Sequence, residues 1–226
     1  MRYRHEYKYI IDAPQEAILR VRMGGILQSD PHTDDSGAYM VRSAYLDDCF
    51  DSCLNDNLLG AEPRSKFRLR YYGDDSATIR LEKKVKRGGM TCKAAVPLTP
   101  AECERLLAGE IPLPEPDAPA LKQRLLTEVL QRGLKPKTIV TYERVPFVYP
   151  GGNVRVTFDR MLTSADDVGR FLTRDHPARP VLPAGQSILE VKWDELLPSF
   201  IRQTLRLEGL QWTACSKYYL CRAVHL

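Results

Sequence analysis

Polar and apolar residues alternate with period two along seven stretches of the chain. These are 3–11 (YRHEYKYII), 39–47 (YMVRSAYLD), 66–72 (KFRLRYY), 77–86 (ATIRLEKKVK), 139–148 (IVTYERVPFV), 154–160 (VRVTFDR) and 187–193 (SILEVKW). Each is rich in β-branched or aromatic residues, which predicts a β-strand. Between them the spacing turns helical. Asp12 is placed to cap a helix that opens at Pro14 and runs through Ala17, Ile18, Val21 and Met23. Thr99-Pro100-Ala101-Glu102 reads as a capping box with proline at the first helical position, and Gly109 ends that helix. Residues 119–132 set Leu121, Leu125, Leu126, Val129 and Leu130 on one face before Gly133. Two more helices are expected at 196–207 and 215–222. Four prolines within 110–119 mark an extended connector, and 164–186 reads as a long loop-rich insertion. The expectation is an α+β fold: a closed antiparallel β-barrel of about eight strands with helices packed outside. It would form one domain over 1–226.

Parity divides each predicted strand into two faces. Arg4, Glu6 and Lys8 oppose Tyr3, Tyr7, Tyr9 and Ile11. Lys66, Arg68 and Arg70 oppose Phe67, Leu69 and Tyr71, and Arg80, Glu82, Lys84 and Lys86 oppose Ile79, Leu81 and Val85. Tyr142 with Arg144, Arg155 with Thr157, and Glu190 with Lys192 repeat the two-residue step. A sheet with one wet face would also alternate. Two features favour charged faces turned inward: Arg and Lys displace the usual Ser, Thr and Gln, and the helices need the apolar faces to pack on. Cations gathered in an interior are costly without anions. A phosphate polymer or nucleoside triphosphate answers that need, since Arg forks match phosphate oxygens and Lys adds point charges. Carboxylates on the same faces would repel phosphate unless Mg²⁺ or Mn²⁺ bridged them.

Composition narrows the remaining classes. The 33 Lys and Arg nearly balance the 29 Asp and Glu, leaving +4, so partners follow from where charge sits. Six scattered cysteines include no CxxC pair and no zinc spacing against the four histidines, which predicts free thiols in a reducing compartment. Neither a signal-peptide stretch nor a run of about 18 apolar residues is present, so the expected location is cytoplasmic. The Lys83–Gly89 run reads as a solvated hairpin, and nucleic acid is not expected as a partner.

Seven pieces, in order, carry a resemblance: RHEYKY at 4–9, KFRLRYY at 66–72, IRLEKK at 79–84, YERVPF at 142–147, VRVTFD at 154–159, LEVK at 189–192 and SKY at 216–218. The chain resembles the triphosphate tunnel metalloenzyme superfamily, and within it the polyphosphate polymerase domain of the vacuolar transporter chaperone (VTC) family. The resemblance implies phosphate contacts from Lys8, Arg68, Arg70, Lys84, Lys93, Tyr142, Arg144, Arg155, Lys192, Ser216 and Lys217. It makes Glu190 the metal-binding glutamate, with Glu6 and Glu82 as further candidates. One departure is visible: where many tunnel enzymes begin E-x-E-x-K, the frame here reads Arg4-His5-Glu6-Tyr7-Lys8.

The function this implies is transfer of the terminal phosphate of ATP to a polyphosphate chain, without a protein nucleophile. Hydrolysis of triphosphate, polyphosphate or nucleotide in the same tunnel is the alternative. A polyphosphate sensor without catalysis is the second, and a membrane protein could serve as partner to a chain with no span of its own.

Overall fold

The computed structural model describes residues 3–73, 75–113, 115, 117–173, 176–207, 210–213 and 215–226, side chains of 75–77 excepted. Parts of the expected connector (114, 116) and of the loop-rich insertion (174, 175) lie outside the described residues. In chain order the elements are β1 (His5–Ile11), α1 (Ala13–Gly24), β2 (Gln28–Ser29), β3 (Tyr39–Asp47), α2 (Ser52–Leu58), β4 (Arg64–Tyr72), β5 (Asp75–Arg87) and β6 (Met90–Leu98). There follow α3 (Pro100–Leu107), α4 (Ala120–Gln131), β7 (Lys135–Tyr149), β8 (Val154–Ala165), β9 (Arg179–Pro180), β10 (Ser187–Trp193), α5 (Ser199–Thr204) and α6 (Lys217–Ala223).

Eight strands pair antiparallel in the order β1-β10-β8-β7-β3-β4-β5-β6, with β2 added to β7 and β9 to β8. The sheet curls until its edges β1 and β6 touch, but among the described residues they share one antiparallel bridge, Arg4 to Thr91, with N–H···O distances of 2.8 and 2.9 Å. Full barrel closure, expected from the sequence, is therefore replaced by a curled half-barrel. The reason lies at the free edge of β1. Beyond Arg4 that edge is taken by the C-terminal segment: Thr213 N–H donates to the Lys8 carbonyl at 3.0 Å, and Tyr9 bridges Trp212. Backbone groups satisfied there have no call for β6.

The helix signals form where capping predicts. Asp12 with Gln15, and Thr99 with Glu102, make reciprocal capping boxes, each with proline in the first turn. On the convex face Phe67, Leu69, Tyr71, Ile79 and Leu81 form one core with Cys103 and Leu106 of α3 and Leu125, Leu126 and Val129 of α4. Leu19 and Met23 of α1 pack with Ile201 of α5 onto Ile11, Val156, Phe158, Leu189 and Val191. Ile18 and Val21, expected along α1, are exposed.

The expectation that every helix packs outside needs correcting. Tyr218 and Cys221 of α6, with Cys53 and Leu54 of α2, pack against Val41, Tyr45, Val140, Tyr142 and Ile188. Those residues share parity with the charged ones, so α2 and α6 cover one end of the concave face. Tyr45 and Tyr218 stack with ring centroids 5.1 Å apart. The helix expected at 196–207 shortens to Ser199–Thr204. None of the six cysteines forms a disulfide, in keeping with the expected thiols. Among the described residues no helix is long and apolar enough to cross a membrane.

Candidate functional site

The period-two register delivers the charged side chains to one concave surface. Cross-strand pairing sets Lys8 opposite Glu190, Glu6 opposite Lys192 and Arg68 opposite Glu82. On this surface nine cations (Lys8, Arg68, Arg70, Lys84, Lys93, Arg144, Arg155, Lys192, Lys217) share five carboxylates (Glu6, Asp30, Glu82, Asp159, Glu190), and a tenth, Lys66, stands beside them on neutral oxygens. The surplus is positive, and much of it is shielded from water.

Three groupings organise the surface. In the first, Glu82 accepts from Arg68 at 2.6–2.8 Å and from Lys93 at 2.9 Å, with Arg70 3.9 Å away. Burial alone would raise the Glu82 pKa, yet Arg68, Arg70 and Lys93 hold it well below the carboxylate range. Arg70 is buried and donates to two neutral oxygens, Ser43 Oγ at 2.9 Å and Tyr142 Oη at 3.3 Å. Arg68 donates to Tyr45 Oη at 2.9 Å.

The second grouping centres on Glu6 and Glu190. Lys8 Nζ lies 3.1 Å from Glu6 and 4.0 Å from Glu190, Lys84 lies 2.6 Å from Glu6, and Lys192 contacts both carboxylates. Both acids are held ionised: burial opposes this, but Lys8 and Lys84 outweigh it at Glu6, as Lys192 and Lys8 do at Glu190. In the third, Asp159 accepts both ends of the Arg144 fork at 2.7 and 2.8 Å, and Lys217 Nζ at 2.6 Å. Lys217 also reaches Glu190 at 3.5 Å and sits 5.0 Å above the Tyr142 ring. Asp159 and Glu190 overcome the burial of Lys217 and lift its pKa to about 12.

The structure thus brings Lys8, Arg68, Arg70, Lys84, Lys93, Tyr142, Arg144, Lys192 and Lys217 to one concavity with Glu6, Glu82 and Glu190. Arg155 lies toward its rim, on Asp30 and on Tyr39 Oη at 2.8 Å. Ser216 caps α6 and accepts from Lys66 Nζ at 2.6 Å. Sequence reasoning gave no site role to Lys66, Ser43, Tyr45 or Asp30. Parity sets Lys66 on the charged face with Arg68 and Arg70, and the same rule applied to 39–47 could have found Ser43 and Tyr45. Asp30 lies outside every alternating stretch and left no such signal.

For a divalent metal, no group of three or more His, Cys, Asp or Glu converges among the described residues. Glu82 stands apart with Arg68 and Lys93, whereas Glu6 and Glu190 share Lys8 and Lys192. Two neighbouring carboxylates fit Mg²⁺ or Mn²⁺ when phosphate oxygens supply further ligands.

A VTC domain model matches residues 3–226. No curated protein matches the chain. Among solved structures, the PH1819 protein of Pyrococcus horikoshii OT3 superposes with a TM-score of 0.50 at 12% identity, covering 99% of both chains. A candidate adenylate cyclase of Bacillus halodurans gives a TM-score of 0.49 at 14% identity, over 90% of this chain and 86% of that one. At 12% identity the likeness to the PH1819 protein is one of fold.

Proposed function

Since the chain belongs to the VTC domain family, we propose that it transfers the terminal phosphate of ATP to a polyphosphate chain held along the basic concave face. The carrying observation is the surplus of cations over carboxylates on that face, at whose floor Arg70 and Arg144 lie buried. Arg70 supports the reading most directly. It is a buried guanidinium whose hydrogen bonds go to neutral hydroxyls, and the carboxylate nearest it, Glu82 at 3.9 Å, is already taken by Arg68 and Lys93, which leaves its fork available to a phosphate.

In this reading Arg68 and Arg70 grip one stretch of phosphate oxygens, and Lys8, Lys84 and Lys192 another. Arg144 and Lys217, fixed by Asp159, form the wall against which the reacting phosphate aligns. A terminal polyphosphate oxygen attacks the γ-phosphorus, the bond to the β-phosphate oxygen breaks, and ADP leaves with that electron pair. Such transfer needs alignment and charge neutralisation more than a protein nucleophile. Glu6 and Glu190 would hold Mn²⁺ or Mg²⁺, which would offset charge between the phosphates being separated. The touching edges at Arg4 and Thr91 would let the sheet surround a linear chain.

The test is incubation of purified protein with ATP and Mn²⁺, with products followed by phosphorus NMR. Polymer appearing with ADP is the expected result. Free phosphate without polymer would turn the reading into hydrolysis. Binding of polyphosphate without turnover of any triphosphate would leave a sensor.

A further inference from the structure

Three lysines stand in one cross-strand row. Lys66 is the register partner of Lys84 between β4 and β5, and Lys84 is the partner of Lys93 between β5 and β6. Like charges placed directly opposite destabilise a sheet. Two members of the row have a carboxylate: Lys84 reaches Glu6 at 2.6 Å and Lys93 reaches Glu82 at 2.9 Å. Lys66 instead donates to Asn57 Oδ1 at 2.8 Å and Ser216 Oγ at 2.6 Å. Those oxygens orient the ammonium but cancel none of its charge.

The charged surroundings are mainly cationic. Lys8 faces Lys66 from β1, Lys84 from β5 and Arg64 along its own strand, while α2 adds the Cys53 thiol, a weaker influence of opposite sign, beside the neutral Asn57 amide. From α6 comes the Tyr218 ring, whose centroid lies 5.7 Å from Nζ. Burial, then Lys8, Lys84 and Arg64, lower the Lys66 pKa to about 7. A half-buried ammonium that three other cations repel is a costly arrangement. An anion arriving beside it would relieve the strain.

We propose that Lys66 is a further phosphate-binding residue, which extends the Arg68–Arg70 row toward α2 and α6. Successive inward residues of a strand lie about 6.6 Å apart, so Lys66 adds one more step along the phosphate chain. Asn57 and Ser216 hold its Nζ in place, which ties the two covering helices to the occupied end of the concavity. The proposal rests on the phosphate-chain reading above and adds the point at which the chain meets the helical cover.

The experiment is calorimetric titration at pH 8 with a linear inorganic polyphosphate, chelator present, in two buffers of different ionisation enthalpy. The buffer dependence reports protons taken up on binding. Wild type should bind and take up protons, because phosphate beside Lys66 favours its charged form. Lys66→Met should bind about tenfold more weakly, the scale of one lost charge-assisted hydrogen bond, and take up fewer protons. Lys66→Arg should keep the affinity and show the same reduced uptake, since a guanidinium stays charged throughout. Proton uptake unchanged from wild type in either variant overturns the proposal, even where Lys66→Met binds more weakly, because a purely structural link to Asn57 and Ser216 would behave so. If Lys66→Met does not fold, Lys66→Arg decides alone. Failure of the wild type to bind polyphosphate would instead overturn the phosphate-chain reading itself.

Discussion

Arg70 and Asp159 are both buried and charged, yet their partners assign them opposite duties. Asp159 is fully enclosed and meets two cations, the Arg144 fork and the Lys217 ammonium. Asp159→Asn would leave two buried cations short of their counter-charge. We expect a loss of about 3–5 kcal/mol in urea denaturation, the usual result of removing one partner from a buried ion pair. A loss below about 1 kcal/mol would contradict this. Arg70 donates to Ser43 and Tyr142, and Glu82 keeps Arg68 and Lys93 when Arg70 is removed. Arg70→Ala should therefore cost stability only on the scale of about 1–2 kcal/mol. Its affinity for tripolyphosphate should fall at least tenfold by calorimetry, and unchanged affinity would remove Arg70 from the binding surface. Glu190→Gln separates binding from turnover. It should retain polyphosphate binding while losing metal-dependent transfer by roughly a hundredfold or more, read as ADP release across a Mn²⁺ titration.

Among the elements, α6 does the most for the site while spanning only Lys217–Ala223. Its Ser216 and Lys217 enter the charged surface, and Tyr218 anchors it from behind. The Tyr218 hydroxyl donates to Asp47 Oδ2 at 2.6 Å, and Asp47 also accepts the α2 N–H groups of Cys53 at 2.9 Å and Leu54 at 3.1 Å. One buried carboxylate thus caps α2 and fastens α6. Tyr218→Phe should cost about 1–3 kcal/mol in thermal or urea unfolding, the penalty for leaving a buried acceptor short of its donor. It should also raise amide exchange in both helices, and exchange unchanged in α2 would uncouple them. This linkage shows where the sequence stops being readable. Strand faces were legible because parity is a local property, and Arg68, Arg70, Arg144 and Glu190 fall where it puts them. The cap of α2 was not, since Asp47 reaches Cys53 and Leu54 across several residues and Asp51 offers no side-chain cap. Neither was the seat of α6, which depends on Tyr45 and Tyr142 lying on the concave side. Closure failed for a similar reason: Trp212 and Thr213 hold no strand pattern of their own, yet they occupy the edge of β1.

At the scale of the whole molecule, a curled sheet with surplus positive charge on its shielded face holds repulsion that a bound anion would relieve. That repulsion should be visible as a pH dependence of stability. The Lys66 and Lys84 pKa values fall to about 7, through burial first in both cases, against about 10.4 in an unfolded chain. Above pH 7 the native state has released protons that the unfolded state still binds, so stability rises with pH. Tyr72 works in the same direction: Arg70 overcomes its burial and brings it to about 8. The opposite trend begins higher. Burial raises the Cys53, Cys103 and Cys221 thiols to about 12, so above about pH 8.5 the unfolded chain loses thiol protons that the native state keeps. Stabilities measured in urea without ligand should therefore climb between about pH 7 and pH 8.5. The buried carboxylates Glu6, Glu82 and Glu190 do not disturb this window, because they are ionised in both states throughout it. Saturating polyphosphate should flatten or reverse the climb, since bound phosphate keeps the lysines protonated and binds best where they are charged. A ligand-free profile that is level or falling from pH 7 to 8.5 would mean that the lysine row is not under the strain its geometry implies.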